Sequence, residues 1–357
     1  MERIKVLVVD DSAFMRKMIS NILNDHVKIE VIATARNGQD ALGKIRELDP
    51  DLVTLDIEMP IMDGITTLKE IMNKFPRPVI MLSSLTKEGA DKTVESMELG
   101  AVDFIGKPSG SISLNIKDIE SEIISKVLHG AKVKANEMKQ SPNPSPAIKP
   151  IDQKRIPFMN QKTQSLIGIG TSTGGPRALQ QVVTRFPSNI PAPIAIVQHM
   201  PAGFTKSLAQ RLDQLSQIKV KEAEDGERLE NGVAYIAPGG FQFRVVQTSS
   251  GYKASVKKEA HTSIHQPSVD VLFESLAELT QTDIIAVVMT GMGADGTNGI
   301  IEMKKANPNT IVISEDEETC VVYGMPQAAM KTKQVDFVEP LPRISDAIVN
   351  QLKIRGE

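Results

Sequence analysis

The chain has 357 residues, enough for two domains that each bury a core of their own. Its 41 Lys and Arg against 44 Asp and Glu leave a net charge of -3, which gives no electrostatic case for nucleic acid as the main ligand. One cysteine, Cys320, excludes an internal disulfide and fits a reducing compartment, and the longest apolar runs, such as Ile284 to Met289, are too short to span a bilayer. The chain enters a strand almost at once and shows no signal-peptide cleavage pattern, so a cytoplasmic protein without membrane insertion is expected.

Residues 1–129 alternate short apolar strands with amphipathic helices. Strands are predicted at Ile4–Val9, Glu30–Thr34, Leu52–Leu55, Val79–Leu82 and Val102–Ile105, rich enough in Val, Ile and Leu for a parallel sheet buried on both faces. Helices are predicted at Ala13–Leu23, Ala41–Leu48, Thr66–Asn73, Lys87–Leu99 and Ile116–Leu128. Five strand–helix repeats specify a doubly wound, flavodoxin-like (βα)5 domain, whose functional groups gather at the carboxyl ends of the strands.

Those ends carry a chemically coherent set. Asp10 and Asp11 end the first strand, Asp56 the third and Ser83 the fourth, and Lys107 follows the fifth. Three carboxylates at one rim repel each other unless a hard cation sits among them, and oxygen ligands of this kind suit Mg²⁺. A carboxylate beside that metal can take up a phosphoryl group as an acyl phosphate. Ser83 is placed to donate to a phosphoryl oxygen and Lys107 to pair with another. This half resembles a response-regulator receiver domain, most tellingly along Asp56-Ile57-Glu58-Met59-Pro60-Ile61-Met62-Asp63-Gly64. The resemblance implies Asp56 as phosphoacceptor, Asp10, Asp11 and Asp56 around the metal, and Ser83 and Lys107 as switch residues. Phe104 stands where such domains commonly carry an aromatic side chain that changes rotamer, and a plain core role fits it equally.

From 130 to 164 the apolar period stops, and Pro142, Pro144, Pro146, Pro150 and Pro157 appear among lysines. Such a segment buries too little apolar surface to fold alone, and a mobile, extended linker is expected. Residues 165–357 return to an α/β pattern, with strands predicted at Ser165–Gly170, Ile194–Gln198, Ala234–Ala237, Ile284–Thr290 and Thr310–Ser314. Helices are predicted at Arg177–Phe186, Phe204–Leu212, Val269–Leu279, Gly296–Lys305 and Pro326–Lys331. Phe243–Val246 and Tyr252–Val256 flank a turn and form a β-hairpin, so the doubly wound sheet is expected to be mostly parallel but mixed.

The first of these strands runs into Gly170-Thr171-Ser172-Thr173-Gly174-Gly175, a Gly-flanked serine on a sharp turn before a helix. A serine hydroxyl is a weak nucleophile and needs a base, which in turn needs an orienting acid. His199 directly follows the strand Ile194–Gln198, and Asp295 sits in the Gly-rich turn after the strand that ends at Thr290. The three rim positions point to a triad of Ser172, His199 and Asp295. Asp225 with His261 or His265 would also supply an acid and a base, though neither lies in a strand-end turn. As a dinucleotide fingerprint the glycines lack the third glycine and the acidic strand end, and as a phosphate loop they lack the lysine. His261 and His265 are four apart, but without a neighbouring glutamate they do not read as a metal site.

The second half resembles the catalytic domain of chemotaxis protein-glutamate methylesterases. The matching segments are Gly170 to Pro176, Val197-Gln198-His199-Met200-Pro201, Ala237-Pro238-Gly239-Gly240, Pro267 to Phe273 and Thr290 to Gly296. The resemblance implies Ser172 as nucleophile, His199 as general base and acid, Asp295 as orienter, and the Thr173 and Met292 backbone N–H groups as oxyanion donors. It implies methyl ester hydrolysis on chemoreceptors, with deamidation of receptor glutamines as a further activity and no cofactor for the hydrolysis. It also implies a chemotaxis histidine kinase as phosphodonor and a receiver domain that inhibits until Asp56 is phosphorylated. A non-catalytic regulator, with the esterase-like domain as a binding module, is the alternative. Two positions depart from the pattern: Thr171 replaces a smaller residue, and Gln242 stands where a histidine is often found.

Overall fold

The computed structural model describes residues 3–107, 116–133, 164–259 and 265–356. The chain divides into two compact units, residues 1–148 and 149–357. The linker expected at 130–164 falls mostly on 134–163, outside the described residues, as does His261. At its two ends, the last helix of the first unit runs through Gly130 and the first strand of the second begins at Gln164.

In the first unit, β1 (Ile4–Val9), β2 (Ile29–Ala35), β3 (Leu52–Asp56), β4 (Val79–Ser83) and β5 (Asp103–Gly106) form a parallel sheet in the order β2-β1-β3-β4-β5. The chain winds away from β1 in both directions, so the gap between β1 and β3 is a topological switch point. Asp10 follows one of these strands and Asp56 ends the other. Val6 to Val9 and Leu52 to Leu55 are buried, as strands covered on both faces must be. The helices begin on side chains that accept a backbone N–H: Ser12 for Met15, Asn37 for Asp40, Asp63 for Thr66 and Thr86 for Gly89.

The second unit is built on β6 (Gln164–Thr171), β7 (Ile194–Gln198), β8 (Lys219–Glu222), β9 (Val233–Ile236), β12 (Thr282–Val288), β13 (Ile311–Glu315) and β14 (Phe337–Glu339). They pair in the order β14-β13-β12-β6-β7-β9-β8, and every pairing is parallel. The sheet is therefore not mixed. The hairpin β10 (Gln242–Thr248) and β11 (Gly251–Lys257) forms a separate antiparallel sheet. Its Phe243, Val245, Tyr252 and Ala254 join a core that includes Phe273 and Leu276 of the helix Val269–Ala277, so its inward face is used by that helix.

Two edge strands lack a sequence signal, because β8 buries only Val220 between lysines and β14 has three residues. The final helix, Leu341–Gly356, has one: Leu341, Ile344, Ile348 and Leu352 are buried at helical spacing. Here the switch point lies between β6 and β12, which start the two opposite windings of the sheet. No helix among the described residues is long and apolar enough to cross a membrane.

Candidate active site and phosphorylation site

Ser172 leaves β6 on a turn closed by Gly174, which has φ +78 and begins the helix Gly175–Val183. Only glycine adopts that backbone without strain. The Ser172 N–H donates to Thr290 O at 3.0 Å and its carbonyl accepts from Gly175 N–H at 2.8 Å and from Gln198 Nε2 at 2.9 Å. Thr171, the larger residue before the serine, is fully buried, and its hydroxyl donates to Thr290 O at 2.9 Å. Its extra atoms therefore tie β6 to the end of β12.

His199 follows β7 and lies between the other two residues of the expected triad. Its Nδ1 is 3.2 Å from Ser172 Oγ and its Nε2 is 2.7 Å from Asp295 Oδ2. The ring nitrogens are thus used in the opposite order from the chymotrypsin-type triad. Asp295 sits at the start of the helix Val269–Ala277. It accepts from the Ser268 hydroxyl at 2.9 Å, Val269 N–H at 2.7 Å and Asp270 N–H at 2.9 Å. Burial pushes the Asp295 carboxyl up, but the His199 hydrogen bond and charge and these backbone donors outweigh it and hold the pKa at about 2. A carboxylate at a helix N-terminus also meets the positive end of the helix dipole. Asp225 instead accepts Val256 N–H on the hairpin at 2.9 Å and takes no part in this arrangement.

The loop after β12 approaches the nucleophile closely. A Cβ on Gly291 would lie 2.8 Å from Ser172 Cβ, so a side chain there would displace the serine. The residue closely packed on Ser172 is thus the neighbour of Met292. The Thr290 hydroxyl donates to Thr173 O at 3.0 Å, joining the two segments expected to supply oxyanion donors. Behind the loop, the fully buried Glu315 accepts Thr290 N–H at 2.8 Å and the Thr319 hydroxyl at 3.1 Å. Burial pushes the Glu315 carboxyl up to about 7. Burial and the neighbouring Glu315 drive the Cys320 thiol up, which disfavours its thiolate.

Sequence reasoning did not single out Ser268 or Glu315, and it considered His265 only as an alternative base. The His265 ring stacks on His199 with centroids 4.2 Å apart and planes at 20°. Ser268 had a local signal, a serine immediately before an apolar run. Glu315 had none, because it adjoins the acidic run Asp316-Glu317-Glu318 and reads as a solvated strand end.

In the first unit, carboxylate oxygens of Asp10, Asp11 and Asp56 lie within 4.8 Å of one another. Lys107 Nζ is 2.8 Å from Asp10 and 2.7 Å from Asp56. Burial raises the Asp56 carboxyl to about 6, against the pull of Lys107, and the nearby Asp10 charge adds to the rise. Three carboxylates against one ammonium leave net negative charge among hard oxygen donors, which fits a divalent cation such as Mg²⁺. The Ser83 hydroxyl donates to Gly89 O at 3.1 Å in this arrangement, so a bond to a phosphoryl group would require it to rotate. Phe104 is buried, with the Lys126 ammonium 5.1 Å from its ring centroid.

Residues 167–348 match the CheB methylesterase family and residues 6–117 match the response regulator receiver domain. A protein-glutamate methylesterase/protein-glutamine glutaminase of Halalkalibacterium halodurans is 51% identical over 98% of this chain and 99% of its own. A protein of the same description from Bacillus subtilis is 46% identical over 98% of this chain and 99% of its own. The crystal structure of the Thermotoga maritima CheB methylesterase catalytic domain is 42% identical, covering 53% of this chain and 99% of that one, with a TM-score of 0.50.

Proposed function

The chain belongs to the CheB methylesterase family, and on that premise we propose that it is a phosphorylation-controlled serine hydrolase that removes methyl groups from γ-glutamyl methyl esters of chemoreceptors. One observation carries this reading: the continuous hydrogen-bonded path from Ser172 through His199 to Asp295 on the rim of the second sheet. A module that only binds a partner has no use for such a path.

In the mechanism, the His199 Nε2–H is donated to Asp295, which leaves the Nδ1 lone pair facing Ser172. Ser172 Oγ attacks the ester carbonyl as Nδ1 takes its proton. The Thr173 and Met292 N–H groups receive the oxyanion, each such donor worth roughly 10²–10³ in rate. The tetrahedral species collapses as the imidazolium returns its proton to the methoxy oxygen, and methanol leaves. Water then repeats the sequence on the acyl-serine and releases the glutamate. The same steps on a glutamine side chain release ammonia, so deamidation needs no additional group. Neither reaction requires a cofactor.

Control rests with Asp56, whose carboxylate receives a phosphoryl group from a chemotaxis histidine kinase. Asp10, Asp11 and Asp56 would hold Mg²⁺, which neutralises phosphoryl charge. Lys107 pairs with a phosphoryl oxygen, and Ser83 rotates to donate to another. Both reactions take place in the cytoplasm. The test is methanol release from methylated receptor membranes with and without a small phosphodonor. Stimulation that requires Mg²⁺ and is lost in Asp56→Asn is expected. No methanol release by the intact chain would overturn the reading.

A further inference from the structure

Besides Gln198, a second buried amide lies close to the triad. Gln242 opens β10 and has no exposed surface. Its Nε2 donates to His265 O at 2.9 Å and its Oε1 accepts Ser268 N–H at 2.9 Å. These contacts grip the two ends of the short turn 265–268, and both ends reach the site. At one end the His265 ring lies on the His199 ring, and at the other Ser268 and the two residues after it hold the Asp295 carboxylate. Burying a polar amide is costly unless both of its ends are satisfied, and here each end bonds to this turn.

We propose that Gln242 is a positioning residue for the triad. Its two bonds to the turn are to backbone groups and not to the Ser172, His199 or Asp295 side chains. By donating to one end of the turn and accepting from the other, it fixes the face on which His199 rests and the helix start that orients Asp295. The inference rests on the esterase reading for its kinetic consequence, but its structural consequence stands apart from activity. The function demands one donor and one acceptor on a neutral group. A neutral imidazole offers both, a carboxylate offers no donor, and an aliphatic side chain offers neither. The titratable groups that bond to, stack on or flank this turn are His199, His265, Asp295, Asp270, and the ion pair of Arg244 with Glu259.

The experiment compares the full chain with Gln242→Leu and Gln242→His, using thermal unfolding to confirm folding. Gln242→Leu should lose on the order of 10- to 100-fold in kcat for methanol release, the scale of a misplaced catalytic group, with KM little changed. Gln242→His should recover most of that loss at pH 8, where the introduced imidazole is neutral, and lose it again near pH 5, where a protonated ring has no acceptor. The low-field proton resonance of the His199–Asp295 hydrogen bond, absent in Asp295→Ala, should be broadened or lost in Gln242→Leu. A folded Gln242→Leu that retains this resonance overturns the proposal, whether or not the intact chain releases methanol. So does a Gln242→His that is no better than Gln242→Leu at pH 8, since packing alone would then explain the effect.

Discussion

At the scale of single residues, Asp295 shows how much of the site is backbone. Its carboxylate meets one imidazole, one hydroxyl and several N–H groups, and among the described residues no lysine or arginine is a hydrogen-bond partner. Because its pKa lies near 2, below the usual 3.8, its contribution to stability is present above pH 4 and lost as pH falls through about 2. It therefore stays ionised throughout the range in which an esterase is assayed. If Ser172, His199 and Asp295 act as a unit, Ser172→Ala and His199→Ala should each lower methanol release by several orders of magnitude. The double variant should cost little more than either, and Asp295→Asn should cost less. Near-normal turnover by Ser172→Ala would remove the mechanism. The candidate triad was legible because Ser172 and His199 directly follow strands and Asp295 lies in the Gly-rich turn after β12, and strand ends are local signals. Gln242 stood out only as a departure from the family pattern, His265 only as an alternative base and Glu315 not at all, because the contacts that place each of them are with segments distant in sequence.

At the scale of elements, the loop after β12 is the part whose stability bears most directly on the site. Its first peptide is held by Glu315 from the end of β13. That carboxyl titrates near 7 in the folded chain against an ordinary 4.5, so the folded state retains a proton that the unfolded state gives up. Its stabilising effect is complete below pH 4.5 and lost as pH rises through about 7. Glu315→Gln keeps a neutral acceptor for Thr290 N–H and removes the titration. Denaturant unfolding should thus find the variant gaining on the parent chain between pH 5 and pH 8. The gain should be roughly 1.4 kcal/mol for each pH interval of one over which the folded chain holds that extra proton. Parallel stability curves for the two would show that Glu315 does not titrate there. The same scale explains which elements could be read in advance. Helices with a Ser, Thr, Asn or Asp cap and strands with uninterrupted apolar runs carry their own signals. The edge strands β8 and β14 form only because a neighbour offers unpaired backbone groups, and the hairpin left the main sheet because its apolar face is taken by a helix.

At the scale of the whole molecule, Asp56 and Ser172 belong to different compact units. Phosphorylation of one can govern hydrolysis at the other only through its differential free energy for two arrangements of the chain. About 1.4 kcal/mol shifts such an equilibrium tenfold, which a new phosphoryl group bonded to Ser83 and Lys107 can supply. A methyl ester on a receptor helix is a small target on a large partner, so the rim bearing Ser172 must be open to a protein surface for turnover. If the unphosphorylated receiver restricts that access, removing it should relieve the restriction permanently. The fragment 164–357 is suited to the test, because it holds a complete sheet and core of its own and a similar domain has been crystallised alone. It should release methanol faster than the unphosphorylated full chain and should not respond to a phosphodonor with Mg²⁺. The full-length Asp56→Asn should stay at the low rate under the same conditions. A well-folded fragment no more active than the unphosphorylated chain would show that the receiver assists hydrolysis directly instead of withholding it.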